Sequence, residues 1–267
     1  MLKKIISYII SFLLVIFITI LILFQAMNTT VLNRKYIENK INNSNYYAKL
    51  SEKINNNFKN NIMQSGMEEK IFDNIYTEET LKNDFSKILD AIYENKEISI
   101  DTTEIKNRLD ENIEQYIKES KIKKTDRDKQ QIEIFEETII QNYVSSVYYS
   151  ISSINVLSNI VKTSNTYFKT AFQISIIATI MLIVLLVLLN YKNKKIVLSY
   201  LGTSLIAVGG IIITILLFER LNIDLEHSII NDECLSILVR IFSTNLIEIL
   251  YKASIGCFLV GLIFLII

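Results

Sequence analysis

Two apolar patterns share the chain: unbroken runs near its ends and a one-in-three-or-four spacing between them. A helix that crosses a hydrocarbon layer about 30 Å thick needs about 20 consecutive apolar residues. Three segments supply this, at 5–26, 171–189 and 196–218; a fourth, 246–267, carries Glu248 and Lys252, is free of charge only from Ala253 onward, and is long enough with its charged turn at the interface. The first is too long for the core of a signal peptide, and Phe24-Gln25-Ala26 is a poor cleavage site, so an uncleaved anchor is expected. The third carries Ser199, Thr203, Ala207, Gly210 and Thr214 at helical spacing; the fourth carries Ala253, Cys257 and Gly261, four residues apart. Small residues let helix backbones approach closely, so both stripes are expected to be helix-packing faces.

Between the first two runs, 27–170 repeats apolar residues with helical period. Tyr47, Leu50, Ile54, Phe58 and Ile62 follow a Ser44 N-cap, with Gly66 as the stop. Leu81, Phe85, Ile88 and Ile92 follow Thr77. Asp101 stands three before Glu104, the spacing of a capping box, and leads into Ile105, Leu109, Ile113, Tyr116 and Ile117. From Thr125, with Asp128 three later, Ile132, Phe135, Ile139, Tyr143, Val147, Ile151 and Ile154 form one stripe. Two continuations are open. The stripe runs straight into 171–189 as a helix of about 60 residues, roughly 90 Å at about 1.5 Å per residue, or it breaks in the Ser, Asn and Thr cluster of 158–166. Short β character is expected only at 97–100. Each helix has one apolar face and needs a partner to bury it. The expected fold class is therefore all-α: four transmembrane helices with an extracytoplasmic antiparallel helical bundle between the first and second.

Composition narrows the classes. Half of the residues are hydrophobic, proline and tryptophan are absent, and glycine occurs six times, which removes most turn chemistry and argues against β-sandwiches and barrels. Basic and acidic residues balance at 28 each, so the surplus of a nucleic-acid binder is missing and no nucleic-acid partner is expected. The local charge is uneven. Lys3 and Lys4 in 1–4, and Lys192, Lys194 and Lys195 in the link 190–195, have no acid beside them, which places both segments in the cytoplasm. The segments 27–170 and 219–245 then fall outside a bacterial cell membrane, the second with Glu219, Asp224, Glu226, Asp232 and Glu233 against Arg220 and Arg240.

Candidate chemistry is sparse. The single histidine, His227, lies among Asp224, Glu226, Asp232, Glu233 and Cys234, but without the ordered Cys and His spacing of a structural zinc site. These five titratable residues, His227 and the four acids, are the metal candidates; a solvated acidic loop is the expectation, with no metal or cofactor. Glu248 and Lys252 put opposite charges on one helix face at the start of the fourth run, as an ion path or as a hydrated interfacial pair with Tyr251 as anchor. The interfacial reading is expected, because the other three runs hold no ionisable Asp, Glu, Lys, Arg or His for a transport path. Tyr36, Tyr46, Tyr47, Tyr143, Tyr148, Tyr149 and Tyr167 would form a recognition surface or, as expected in a bundle, its core and rim. Cys234 and Cys257 fall at different depths, too far apart for a bridge. Gly-rich phosphate loops, His-Glu-x-x-His helices and Gly-x-Ser-x-Gly elbows are missing, so no catalytic residue is assigned.

One span, a large outer domain, then three spans with a small outer loop before the last resembles the permease subunits related to the division protein FtsX and to the MacB and Lol exporters. The resemblance implies a transmission subunit working with a separate cytoplasmic ATPase. It covers the order of elements only. The chain departs from it in having four residues before the first run, a short 190–195 link and an all-helical domain where that family's is mixed. A helical domain framed by two spans is also similar to the sensor half of chemoreceptors, without their signalling module. The Asn, Ile and Lys bias and the Asn45-Tyr46-Tyr47, Lys49-Leu50 stretch resemble small bacterial four-span membrane proteins. The sequence therefore predicts a non-enzymatic interaction or sensor module. Its expected partners are the lipid bilayer and another membrane or envelope protein, or a second copy of itself.

Overall fold

Asn, Ser, Thr and Asp stand where the helices begin, and their side-chain oxygens take up the backbone N–H groups that a helix start leaves unpaired. Asn33 accepts from Tyr36 N at 3.1 Å, Ser44 from Tyr46 N at 3.2 Å, Thr77 from Thr80 N at 3.1 Å and Asn193 from Ile196 N at 3.3 Å. Thr125 and Asp128 bond reciprocally, the Thr125 N–H to the Asp128 carboxylate at 2.8 Å and the Asp128 N–H to the Thr125 hydroxyl at 3.3 Å. Asp101 behaves otherwise than its spacing to Glu104 predicts. It accepts from the Thr103 N–H and hydroxyl, two residues on, while Glu104 turns to Arg108.

A computed structural model describes residues 2–65, 68–121, 125–227 and 232–267, with the side chains of 63–65, 149–157, 160, 165–166 and 219–227 outside the description. Gly66, the expected stop of the first domain helix, lies outside the described residues. The helices are α1 (Leu2–Thr29), α2 (Arg34–Asn42), α3 (Tyr46–Ser65), α4 (Glu78–Glu94), α5 (Thr103–Glu119), α6 (Asp126–Thr163), α7 (Lys169–Leu189), α8 (Lys194–His227) and α9 (Glu233–Ile266). A 3-10 turn spans Glu69–Phe72. The fold is all-α, with no strand among the described residues; 97–100 is irregular. Two units divide the chain: a bundle of 1–37, 161–231 and 239–267, and a helical domain of 38–160 and 232–238.

In the helical domain the apolar stripes are the core. Tyr47, Leu50, Ile54 and Phe58 of α3, Leu81, Phe85, Ile88 and Ile92 of α4, Ile105, Leu109 and Ile113 of α5, and Ile139, Tyr143 and Val147 of α6 are all buried. Ile151 and Ile154, the end of the last stripe, lie outside the described side chains. Asp84 is the one buried charged residue there among the described residues, only 3% exposed. The Tyr143 hydroxyl donates to it at 2.8 Å, fixing α4 against α6. Burial raises the Asp84 carboxyl above its usual range, with the Tyr143 bond and Lys87 opposing.

The bundle holds four helices long and apolar enough to cross a membrane, Leu2–Thr29, Lys169–Leu189, Lys194–Phe218 and Glu233–Ile266. This is the composition of a multi-pass membrane protein. α1 meets α7 antiparallel: Ser7 bonds Asn190 at one end, and Phe24 packs on Phe168 at the other, ring centroids 4.7 Å apart. α8 runs parallel to α1, Ser11 beside Ser204 and Val15 in one cluster with Val208. α9 returns antiparallel on α8, with Gly261 against Gly202 and Ser254 against Gly209.

Three further expectations change. The helical run neither breaks at 158–166 nor continues as plain α-helix: a π segment at Ser164–Phe168 joins α6 to α7. The expected loop 219–245 is mostly helix, because no glycine or proline interrupts it; α8 reaches His227 and α9 starts at Glu233 under an Asp232 cap. Finally, the packing face of α8 is not the stripe of small residues. Ser199, Thr203, Ala207 and Thr214 are exposed, and Gly210 has nothing within 4 Å of a Cβ added there. The buried face is Gly202, Ser204, Val208, Gly209, Ile212 and Leu216, rotated from it. Both faces are apolar enough for lipid, so periodicity alone does not choose between them. On α9, Gly261 packs on Gly202 and Ile206, while Ala253 and Cys257 are half-buried.

Candidate functional site

A groove of about 670 Å³ runs along α3. Its origin is the amphipathic pattern of that helix. With Leu50, Ile54 and Phe58 turned into the core, Ser51, Asn55, Asn56 and Lys59 are left along one edge. The chain then reverses through the 3-10 turn, where Asn74 takes a left-handed φ of 58°, a conformation asparagine tolerates better than most residues. This brings Phe72, Asp73, Asn74 and Tyr76 to face the α3 edge.

The floor is aromatic and the walls are polar. Phe58 lies 4.8 Å from Phe72 and 6.2 Å from Tyr76, ring centre to ring centre, and Tyr76 lies 5.7 Å from Tyr143 in the core behind. The Tyr76 hydroxyl stands 2.6 Å from Asn55 Oδ1 and 3.1 Å from the Ser51 carbonyl, and it donates its single proton toward this pair. Burial raises the Tyr76 hydroxyl above its ordinary range, so it stays a donor at neutral pH. Glu52, Glu69, Asp73 and Glu78 against Lys59 make the rim acidic. Lys59 reaches Glu69 at 3.3 Å, Lys49 holds Glu52 and Lys82 holds Glu78, whereas Asp73, Asn56 and Asn74 offer side chains with no partner among the described residues. A neutral or cationic ligand with several hydrogen-bonding groups suits such a groove.

A second groove of about 410 Å³ lies between the turn and α5. It shares Asp73 and Asn74 with the first groove, while Lys70, Arg108, Asn112, Gln115 and Glu119 are taken up internally. Asn112 donates to the Ile71 and Asp73 carbonyls at 3.0 and 2.8 Å, Arg108 to the Asn74 carbonyl at 2.8 Å, and Lys70 pairs with Glu68 and Glu119 over the Tyr116 ring. That set fastens α5 to the turn, and so shapes one wall of the first groove.

Of the metal candidates, Asp232 and Glu233 are described. The side chains of His227, Asp224 and Glu226 lie outside the described residues. Asp232 caps α9, accepting from Cys234 N at 2.9 Å and Leu235 N at 3.2 Å, and pairs with Lys53. Desolvation would raise its carboxyl, but Lys53 and the two backbone donors outweigh that and hold it below the usual range. Glu233 pairs with Lys49 at 2.8 Å. Both acids thus fasten the start of α9 onto α3, with Cys234 and Leu238 buried beneath them. No cluster of three potential metal ligands occurs among the described residues.

Glu248 and Lys252 form an exposed ion pair of 2.7 Å beside exposed Tyr251. Of the tyrosines, Tyr46, Tyr47 and Tyr143 are core, Tyr36 is half-buried, and Tyr148 and Tyr167 are exposed; Tyr149 lies outside the described side chains. Both cysteines are free. Sequence reasoning passed over the groove, because Ser51, Asn55 and Asn56 read as the solvated face of an amphipathic helix and the reversal that faces them with Tyr76 is a tertiary event. Comparison with known proteins finds no matching family model, curated protein or solved structure.

Proposed function

We propose that this protein is a non-enzymatic binding module of the bacterial cell envelope. Its bundle anchors it in the cytoplasmic membrane, and its helical domain, on the outer side, engages another envelope protein through the α3 groove. One observation carries the reading: an aromatic-floored groove with an acidic rim, in which Asp73, Asn56 and Asn74 have hydrogen-bonding side chains without partners among the described residues. Recognition surfaces combine buried aromatic anchors with polar groups that fix orientation. Orientation follows from the lysines at 3–4 and 192–195.

Extraction in mild detergent, followed by mass spectrometry of what stays bound stoichiometrically, tests this when the full chain is compared with the groove-filling variant Asn55→Arg/Asn56→Arg. An envelope protein held by the wild type and lost from the variant supports the proposal. Equal recovery from both, or no partner with either, refutes it. A second reading, the transmission subunit of a separate ATPase, is favoured by α9 belonging to both units, Asp232–Leu238 to the domain and its remainder to the bundle. Co-purification of a cytoplasmic ATPase would select that reading.

A further inference from the structure

Five lysines gather at one end of the bundle. Lys3 and Lys4 lie in the first turn of α1; Lys192, Lys194 and Lys195 lie in the α7–α8 link and the first turn of α8. The fold makes them neighbours. Asn190 Nδ2 donates to Ser7 Oγ at 2.9 Å, the Tyr8 ring meets Tyr200 edge-on at 5.2 Å, and Ile10 and Val197 share one buried cluster. Each lysine is therefore within a turn or two of a contact that ties α1 to the start of α8.

All five are exposed, and none makes an ion pair or hydrogen bond to a side chain among the described residues; Lys192 alone lies over a ring, that of its neighbour Tyr191, at 5.7 Å. The helical domain treats its lysines differently: Lys49, Lys53, Lys59, Lys70, Lys82 and Lys96 each hold a carboxylate. The difference is written in the sequence, since 1–37 and 161–218 contain no Asp or Glu at all. Five like charges held together repel one another unless anions from elsewhere neutralise them. Tyr8 and Tyr191, 64% and 63% exposed at the same level, are amphipathic rings of the kind that sit at headgroup depth. At that depth the concentrated anion is the lipid phosphate, and only a lipid with net negative charge leaves it uncompensated.

We infer that this lysine end binds the headgroups of anionic phospholipids and selects them over zwitterionic ones as the lipids next to the bundle. A lysine close to an anionic surface contributes roughly fivefold to its affinity for that surface, less as salt rises and screens it. The set accordingly acts as one multivalent cationic surface, distinct from the α3 groove.

The test is native mass spectrometry of the full chain in detergent, offered phosphatidylglycerol and phosphatidylcholine at equal concentration. The wild type is expected to retain phosphatidylglycerol about tenfold or more over phosphatidylcholine. Substituting all five lysines by glutamine should abolish the preference, whereas the domain variant Lys82→Gln/Lys87→Gln/Lys129→Gln should keep it. Since all five positions are exposed, a thermal melt matching the wild type confirms that the variant still folds; if it does not, Lys192→Gln/Lys194→Gln/Lys195→Gln, expected to lose most of the preference, takes its place. Equal retention of the two lipids, a preference that survives the substitutions, or displacement of phosphatidylglycerol by inorganic phosphate at the same concentration would overturn the inference.

Discussion

The helical domain and the bundle are built from the same element and turned inside out with respect to each other. In the domain, Leu50, Ile54, Leu81 and Leu109 are fully buried, and the described charged residues are exposed or half-buried, apart from Asp84. In the bundle, Leu188, Leu217 and Leu259 are 63, 59 and 58% exposed, while Ser7, Ser11, Ser175, Ser204 and Ser254 are buried. Water drives apolar side chains together in the first case. Lipid gives no such push in the second, so close backbone contact and interhelical hydrogen bonds take over. Ser11 and Ser204 show this most directly: their hydroxyls lie 2.6 Å apart, and the Ser204 hydroxyl is 3.1 Å from the Ser11 carbonyl. In the domain, Ser44, Thr77 and Thr125 cap helices, and Ser146 is buried, accepting from the Asn57 side-chain amide at 2.9 Å.

The comparison breaks most severely if charge enters the wrong core. Leu109→Asp should destabilise the domain by roughly several kcal/mol, because it buries an unpaired carboxylate. Thermal melting monitored by circular dichroism checks this, and a wild-type melt would show that α5 does not bury its stripe. Next comes overpacking between α8 and α9. A Cβ on Gly202 would sit 2.7 Å from the Gly261 carbonyl oxygen, so Gly202→Val should cost about 1–3 kcal/mol in detergent stability. Gly210→Val, with open space around it, should cost under about 0.5 kcal/mol. Equal effects would restore the exposed small-residue stripe as the packing face.

A smaller effect sets the two solvents apart by pH. Glu136 on α6 is pushed up to about 7 by burial, by the charge of Asp110 and by a hydrogen bond to it, with Lys106 opposing and Glu133 adding to the shift. An unfolded Glu titrates near 4.3. The folded domain thus binds the proton more tightly than the unfolded chain, and its stability declines as pH rises from about 4 to 7, then levels. Partial exposure limits the change to about 1 kcal/mol. Melts across this range should show a shallower slope in Glu136→Gln; an unchanged slope would remove the pair from the account. The smallest effect is the coupling of Ser11 and Ser204, about 0.6 kcal/mol in a double-mutant cycle to alanine. Zero coupling would leave van der Waals contact alone holding α1 to α8.

How far the sequence could be read follows the same division. Stripes such as Leu81, Phe85, Ile88 and Ile92 identify the domain helices, since one face meets water and the other does not. Asp101 misleads because aspartate bonds equally well to the N–H two residues on, as it does to Thr103. On α8 the rule of small residues picks Thr203 and Ala207 where the fold uses Gly202 and Gly209, two rows rotated on the same apolar helix. The groove lies still deeper, needing the reversal at Asn74 to set Tyr76 against Asn55. Asp232 and Glu233 read as loop acids, and only the docking of the first turn of α9 on Lys53 and Lys49 gives them partners.

The central proposal is a bundle that crosses the membrane, with 27–170 and the link 190–195 on opposite sides of it. In a background with Cys234 and Cys257 replaced by alanine, single cysteines at Glu111 and at Lys192, both exposed, can be labelled with a membrane-impermeant maleimide on intact cells. The account predicts labelling at 111 and none at 192 until the membrane is permeabilised. Labelling of both positions on intact cells, or of 192 alone, would contradict it.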